Sequence, residues 1–327
     1  MLANAVYLAE TFPNHEVVVI TDSISQVKIL DSQGIASWVC SDVRESWSEV
    51  SNLSSHSNKF RDDFWFKTIA RFYAIYEYYI LFPHTPILHV ESDVWLSPAF
   101  PLDVLGKLQG KIAYPLKSLS EGIASTLFIG GLEVLQNLIT FSEECFMENT
   151  FSTDVTILGS FYKNFPDKFE NLPTLPKGAE ILRDSTNLEL SELLSTNFEK
   201  YGGIFDASTL GIHYTGIDPR NNWGFRTLFN TPDAPMDLKL AYFGIIDNLP
   251  FLEIGRFNSA IYSLHIHSKD ERLFHTSSYQ KRMRKISSYN QKEIRNELGG
   301  IRSILILGET LLIRLLLRIR NRARSLQ

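Results

Sequence analysis

The chain reads as an α/β protein with a mostly parallel sheet flanked by helices, and three observations carry that reading. Short β-branched runs alternate with segments of helical spacing, which calls for crossover connections in one sheet. The 327 residues are 44% hydrophobic and 12% aromatic, enough to bury a full core. One apolar strand candidate stops abruptly in acids, as strands do where an open α/β sheet meets a ligand.

Ala3 to Glu10 has helical spacing. Val17 to Ile20 forms a first strand ending at Thr21-Asp22, Ser25 to Leu30 a helix, and Ile35 to Cys40 a second strand, which together make a βαβ opening. A sheet of this kind ordinarily has one more strand upstream, so either the first strand of the fold is lacking or the fold begins with a helix. Phe64 to Phe82 predicts a long aromatic helix, with apolar residues at 65, 69, 72, 73, 76 and 80, ended by Pro83. Pro86 to Val90 is a strand, broken by Glu91-Ser92-Asp93 before Val94-Trp95-Leu96. Further strands are predicted over Ile112 to Tyr114 and Thr126 to Ile129. Leu132 to Cys145 and Asp154 to Tyr162 are predicted helices, and Pro166 to Gly178 is read as loop. Residues 1–270 form the expected body, and residues 271–327 a basic, amphipathic helical tail.

Composition excludes several classes. A net charge of −5 argues against general affinity for nucleic acid. Two cysteines, Cys40 and Cys145, provide no disulfide framework and no Cys-rich zinc module, which suits a reducing, cytoplasmic compartment. Met1 is followed by mixed residues and a Phe12-Pro13-Asn14 turn, unlike a secretory leader. The average charge hides an asymmetry, because 13 of the 32 Lys and Arg lie in residues 270–327 beside 5 acids. The apolar stretch Ile304 to Leu317 is interrupted by Glu309 and Arg314 and falls short of the roughly 18–20 apolar residues of a membrane span. Arg314 and Arg318 share a helical face, as in a helix lying on the anionic inner face of a membrane; docking on the body or on a second subunit is the competing reading.

The chemistry concentrates in a few places. Carboxylates at i and i+2 of an extended chain, Glu91 and Asp93, point to one side and can share a divalent cation with a diphosphate. A solvated turn is the alternative. Lys67 and Arg71, four apart on one helix face, could clamp phosphate or pair with Asp63 and Glu77. His265, His267 and Lys269 alternate along a strand, so an imidazole could complete a metal shell while the lysine meets phosphate. His267 is favoured as the ligand for its closeness to Lys269, with His265 the alternative. Asp154 stands at a helix start, where it is either a functional acid or an N-cap. Phe205 to Trp223 is dense in polar and small residues, including Asp206, Asp218 and Arg220, as binding loops are.

Four segments resemble bacterial glycosyltransferases of the GT-A fold: Phe64-Trp-Phe-Lys67-Thr-Ile-Ala-Arg71-Phe; Ile87-Leu-His-Val-Glu91-Ser-Asp93-Val-Trp-Leu; Phe205-Asp206-Ala-Ser-Thr-Leu-Gly211 with Gly216-Ile-Asp218-Pro-Arg220-Asn; and His265-Ile-His267-Ser-Lys269. The resemblance spans about residues 15 to 270. It implies a Rossmann-type sheet and an acid-x-acid motif holding Mn²⁺ or Mg²⁺ on a nucleotide-diphosphate sugar, with Glu91, Asp93 and His267 as metal ligands. Lys67, Arg71 and Lys269 would contact the diphosphate. Asp154 matches the place of a catalytic acid facing sugar or acceptor, and Asp206, Asp218 and Arg220 would line the sugar or acceptor pocket. The implied activity is sugar transfer to a cell-surface glycan or lipid-linked acceptor at the inner membrane face. Glu91 departs from the usual Asp-x-Asp. The rival expectations are a truncated, catalytically inactive nucleotide-sugar or glycan-binding protein and a glycoside hydrolase, whose carboxyls must stand about 5 Å or more apart across the bond.

Overall fold

A computed structural model describes residues 2–40, 64–83, 86–178, 188–215, 241–246, 249–254 and 257–267. The expected tail, Asp218, Arg220 and Lys269 lie outside the described residues.

Helix α1 (Leu2–Thr11) leads into the βαβ opening, in which β1 (Val18–Thr21) pairs in parallel with β2 (Ala36–Val39) across α2 (Ile24–Ser32). Helix α3 (Phe64–Leu81) follows the predicted aromatic run and buries Ile69, Phe72, Tyr73, Ile75 and Tyr79. Ile80, assigned to the inner face by its spacing, is 51% exposed, because the buried stripe has rotated away from it by the last turn.

Strand β3 (Ile87–Val90) and strand β4 (Val94–Leu96) are consecutive in sequence yet belong to different sheets. After the short helix α4 (Leu102–Leu105), β5 (Ile112–Ser118) pairs antiparallel with both β6 (Glu121–Gly122) and β7 (Thr126–Ile129), which flank it, and β3 pairs antiparallel with β7. Helices α5 (Leu132–Glu148) and α6 (Asp154–Asn164) pack against α3 over this sheet. Strand β8 (Phe169–Leu172) then adds in parallel to β5.

Beyond α7 (Leu188–Ser195) and α8 (Phe198–Tyr201), the second sheet gathers β9 (Gly203–Phe205), β10 (Ala241–Ile246), β11 (Leu249–Ile254) and β12 (Phe257–His265) together with β4. Strand β12 is its axis, since Ser263 pairs with Leu96 of β4 on one edge and Phe205 of β9 on the other. Helix α9 (Thr209–Thr215) follows β9. One apolar core joins α3, α5 and α6 to Trp95, Ile204, Ile261 and Leu264 of the second sheet.

Two expectations need correction. The general α/β character stands, but the sheets are mixed, and only three of the nine described pairings are parallel. Tight reversals replace crossovers wherever the connection is too short for a helix, as between β5 and β6. The stretch from Pro166 to Gly178 also contains β8, which polar residues disguise. Glu170 and Asn171 are buried inside the strand, the first meeting Lys200 and Lys111, the second donating from Nδ2 to Leu193 O.

Helix α6 lies directly on the β5–β6 turn. A β-carbon at Gly159 would fall 1.9 Å from Ser120 O, against backbone that cannot step aside. Gly159→Ala is expected to lower stability by about 1–3 kcal/mol through this overpacking. Urea unfolding of the pair checks it, and an unchanged midpoint would contradict the close approach.

Candidate metal centre

The acidic segment bridges the two sheets. Glu91 N donates to Ser125 O at 3.0 Å, and Val94 N donates to Glu91 O at 3.0 Å, closing a four-residue turn from Glu91 to Val94. The two carboxylates therefore converge through a turn, and the extended i, i+2 geometry expected from the sequence is corrected. Helix α1 straps this turn from behind. Buried Asn4 donates from Nδ2 to Glu91 O at 3.3 Å and to Val94 O at 3.0 Å, while Tyr7 donates its hydroxyl to Leu96 O at 2.6 Å.

Pairing of β12 with β4 brings the histidine. His265 lies opposite Val94, and Ile266 N donates to Asp93 O at 2.6 Å. His265 Nε2 is thereby 2.9 Å from Asp93 Oδ2 and 3.6 Å from Glu91 Oε2, and the three side chains each offer a ligand atom within 4.8 Å of the others. The side chains are 24%, 13% and 12% exposed for Glu91, Asp93 and His265, so the cluster is largely shielded from solvent. His267 does not take the expected ligand position. The strand ends at His265, the chain turns with His267 N donating to His265 O at 2.9 Å, and His267 Nε2 lies 3.0 Å from Ser208 O.

Asp206, expected in a sugar or acceptor pocket, is buried and fully engaged. Its Oδ1 accepts from Leu210 N at 2.9 Å, and its Oδ2 accepts from Gly211 N at 2.8 Å and from His265 N at 2.9 Å. It ties the start of α9 to the end of β12. Burial raises its pKa, and the backbone amides oppose that shift. Gly211 permits the contact, because a β-carbon there would meet His265 O at 1.9 Å.

Arg71 projects from α3 between two carboxylates. Its Nη1 donates to Glu91 Oε1, its Nη2 to Asp154 Oδ2, and its Nε to Thr68 O. Burial by itself would raise the Glu91 carboxyl, but the Arg71 guanidinium, aided by His265, overrides this and holds it down at about 2. For Asp154 the balance reverses, and burial outweighs Arg71 to raise the pKa. Asp154 is the first residue of α6, not its cap; Thr153 caps the helix in a reciprocal box with Thr156. Asp154 Oδ1 is buried with no hydrogen-bond partner among the described residues. Nearby His89 is pushed down to about 4, by burial and then by Arg71, and so is neutral at pH 7. Lys67 is exposed on the first turn of α3.

The donor set suits a divalent cation. Ligand atoms held about 2.1–2.6 Å from one ion stand roughly 3 Å apart at right angles, a spacing comparable to the 2.9 and 3.6 Å between His265 and the two carboxylates. Comparison with protein-family models, with curated proteins and with solved structures gives no match.

Removing the guanidinium leaves buried Asp154 and partly buried Glu91 without the cation they share. Arg71→Met is expected to cost about 3–5 kcal/mol at pH 7. The paired Glu91 contributes stability above its unfolded value of 4.5, and that contribution fades as pH falls toward about 2. In the variant, protonation instead relieves the unpaired acids, so the difference from wild type should shrink below about pH 4.5. Denaturant titrations at pH 7 and pH 4 check the sign, and a difference independent of pH would contradict the ion-pair assignment.

Proposed function

We propose that the chain is a metal-dependent glycosyltransferase of the GT-A type, moving a sugar from a nucleotide-diphosphate donor to a glycan or lipid-linked acceptor. The observation that carries this reading is the convergence of Glu91, Asp93 and His265 at the end of β3. Glu91, Asp93 and His265 would hold Mn²⁺ or Mg²⁺, whose charge would neutralise the diphosphate as the anomeric bond breaks. Asp154 takes the role of the acid near the reacting centre. Its pKa is raised while that of Glu91 is lowered on the same guanidinium, the separation that lets one carboxyl exchange a proton while its neighbour stays ionised. Arg71 orients both carboxylates, because its guanidinium nitrogens are engaged by them and by Thr68 O. No described helix is long and apolar enough to cross a membrane, and a lipid-linked acceptor would be met at the membrane surface.

The ion pairs of Arg71 also favour a second reading, a non-catalytic nucleotide-sugar-binding protein, since they satisfy two of the acids without any ligand. A panel of nucleotide sugars, tested with and without Mn²⁺ on wild type and Asp93→Asn, separates the two. Metal-dependent thermal stabilisation and release of nucleoside diphosphate in wild type, lost in Asp93→Asn, is the expected result. Metal-independent stabilisation, equal in both proteins and without turnover, would establish the binding protein instead.

A further inference from the structure

The loop that delivers His265 holds Ser208 at φ 69°, in the left-handed region that residues with a β-carbon enter only at steric cost. Two contacts give that conformation a purpose. Ser208 Oγ lies 3.1 Å from His265 Nδ1, and Ser208 O lies 3.0 Å from His267 Nε2. A carbonyl oxygen only accepts, so Nε2 of His267 carries a proton and donates to it. The two imidazoles stack with centroids 4.0 Å apart and planes 18° from parallel. His267 thus braces the Ser208 carbonyl while the Ser208 hydroxyl faces the inner nitrogen of His265.

We propose that Ser208 is a positioning residue that keeps Nδ1 of His265 hydrogen-bonded in either tautomer, so that Nε2 can turn from Asp93 to a cation, with His267 as its strut; this rests on the metal-dependent reading above. When Nδ1 of His265 is protonated it donates to Ser208 Oγ, and the Nε2 lone pair is turned toward Glu91 and Asp93. When Nε2 is protonated it donates to Asp93 Oδ2 at 2.9 Å, and the hydroxyl rotates to donate to Nδ1. A hydroxyl serves both states because it can donate or accept. A carboxylate at this position would accept only, and an ammonium would donate only. Ser208 therefore lets the imidazole exchange an internal hydrogen bond for a metal ligand without leaving either ring nitrogen unsatisfied.

Ser208→Gly isolates the hydroxyl, because glycine adopts φ 69° freely and keeps the carbonyl that His267 meets. The readouts are Mn²⁺ affinity, from the spin resonance signal of free Mn²⁺, and the melting temperature of the metal-free chain. Affinity is expected to fall about tenfold or more, while the metal-free melting temperature stays unchanged or rises. Equal Mn²⁺ affinity in wild type and Ser208→Gly would overturn the proposal alone. A loss of affinity accompanied by a lower metal-free melting temperature would reduce Ser208 to a loop prop and overturn it as well. Wild-type protein that binds no Mn²⁺ would overturn the metal-dependent reading, and this proposal with it.

Discussion

Asp154 is buried and Glu91 partly buried where α3, the end of β3 and the start of α6 meet, and the Arg71 guanidinium between them makes that tolerable. Desolvating two carboxylates costs several kcal/mol apiece unless a charge of opposite sign is held in good geometry. The planar fork of arginine does this with separate nitrogens for Glu91, Asp154 and Thr68 O, which a lysine could not match. Asp154 has further support from the amide-rich first turn of α6. That turn is fixed in turn by the Thr153–Thr156 capping box and by the seating of Gly159 on Ser120. The ion pair thus depends on backbone placed from several directions.

A second constraint is that the chain changes sheets inside its own acidic turn. Strand β3 pairs with β7 and strand β4 with β12, so Glu91-Ser92-Asp93 is the seam between them. A seam exposes backbone groups that neither ladder satisfies, and here Asn4 and Ile266 N take up those carbonyls. The common core beneath the seam keeps the two sheets in fixed relation. A site made at such a junction inherits rigidity from both sides, as pre-organised binding of a cation requires.

The elements were legible where the pattern was strong. The sequence bounds of the Thr126–Ile129 strand and the start of the helix at Leu132 agree with the structure because β-branched runs and helical periodicity act locally, whereas that helix runs on past the expected Cys145 to Glu148. Strand direction was not legible, since an apolar run does not name its partner, and β8 was hidden by Glu170 and Asn171. Residue types marked Glu91 and Asp93, yet the turn that joins them was read as extended chain. The choice between His265 and His267 turned on where β12 ends, and alternation of faces holds only up to that residue. Asp206 had a readable signal, an acid just before a Ser-Thr helix start, which marks a backbone-capping group as readily as a binding one. Nothing local marks Asn4, whose partners lie about ninety residues away.

The glutamate at position 91, where the resembled pattern has aspartate, follows from the same geometry. Glu91 Oε1 reaches back to Arg71 while Oε2 faces His265 at 3.6 Å, so one carboxylate serves two neighbours. Asp93 has a shorter task, meeting His265 at 2.9 Å from the same turn. An aspartate at 91 would lose one methylene of reach, and with the backbone pinned by Ser125 and Asn4 it would have to abandon either Arg71 or the cluster. Losing Arg71 would leave Asp154 and Arg71 to pair alone, and losing the cluster would leave Asp93 and His265 as the remaining donors. The longer side chain is what couples the ion pair under α3 to the donor set at the seam.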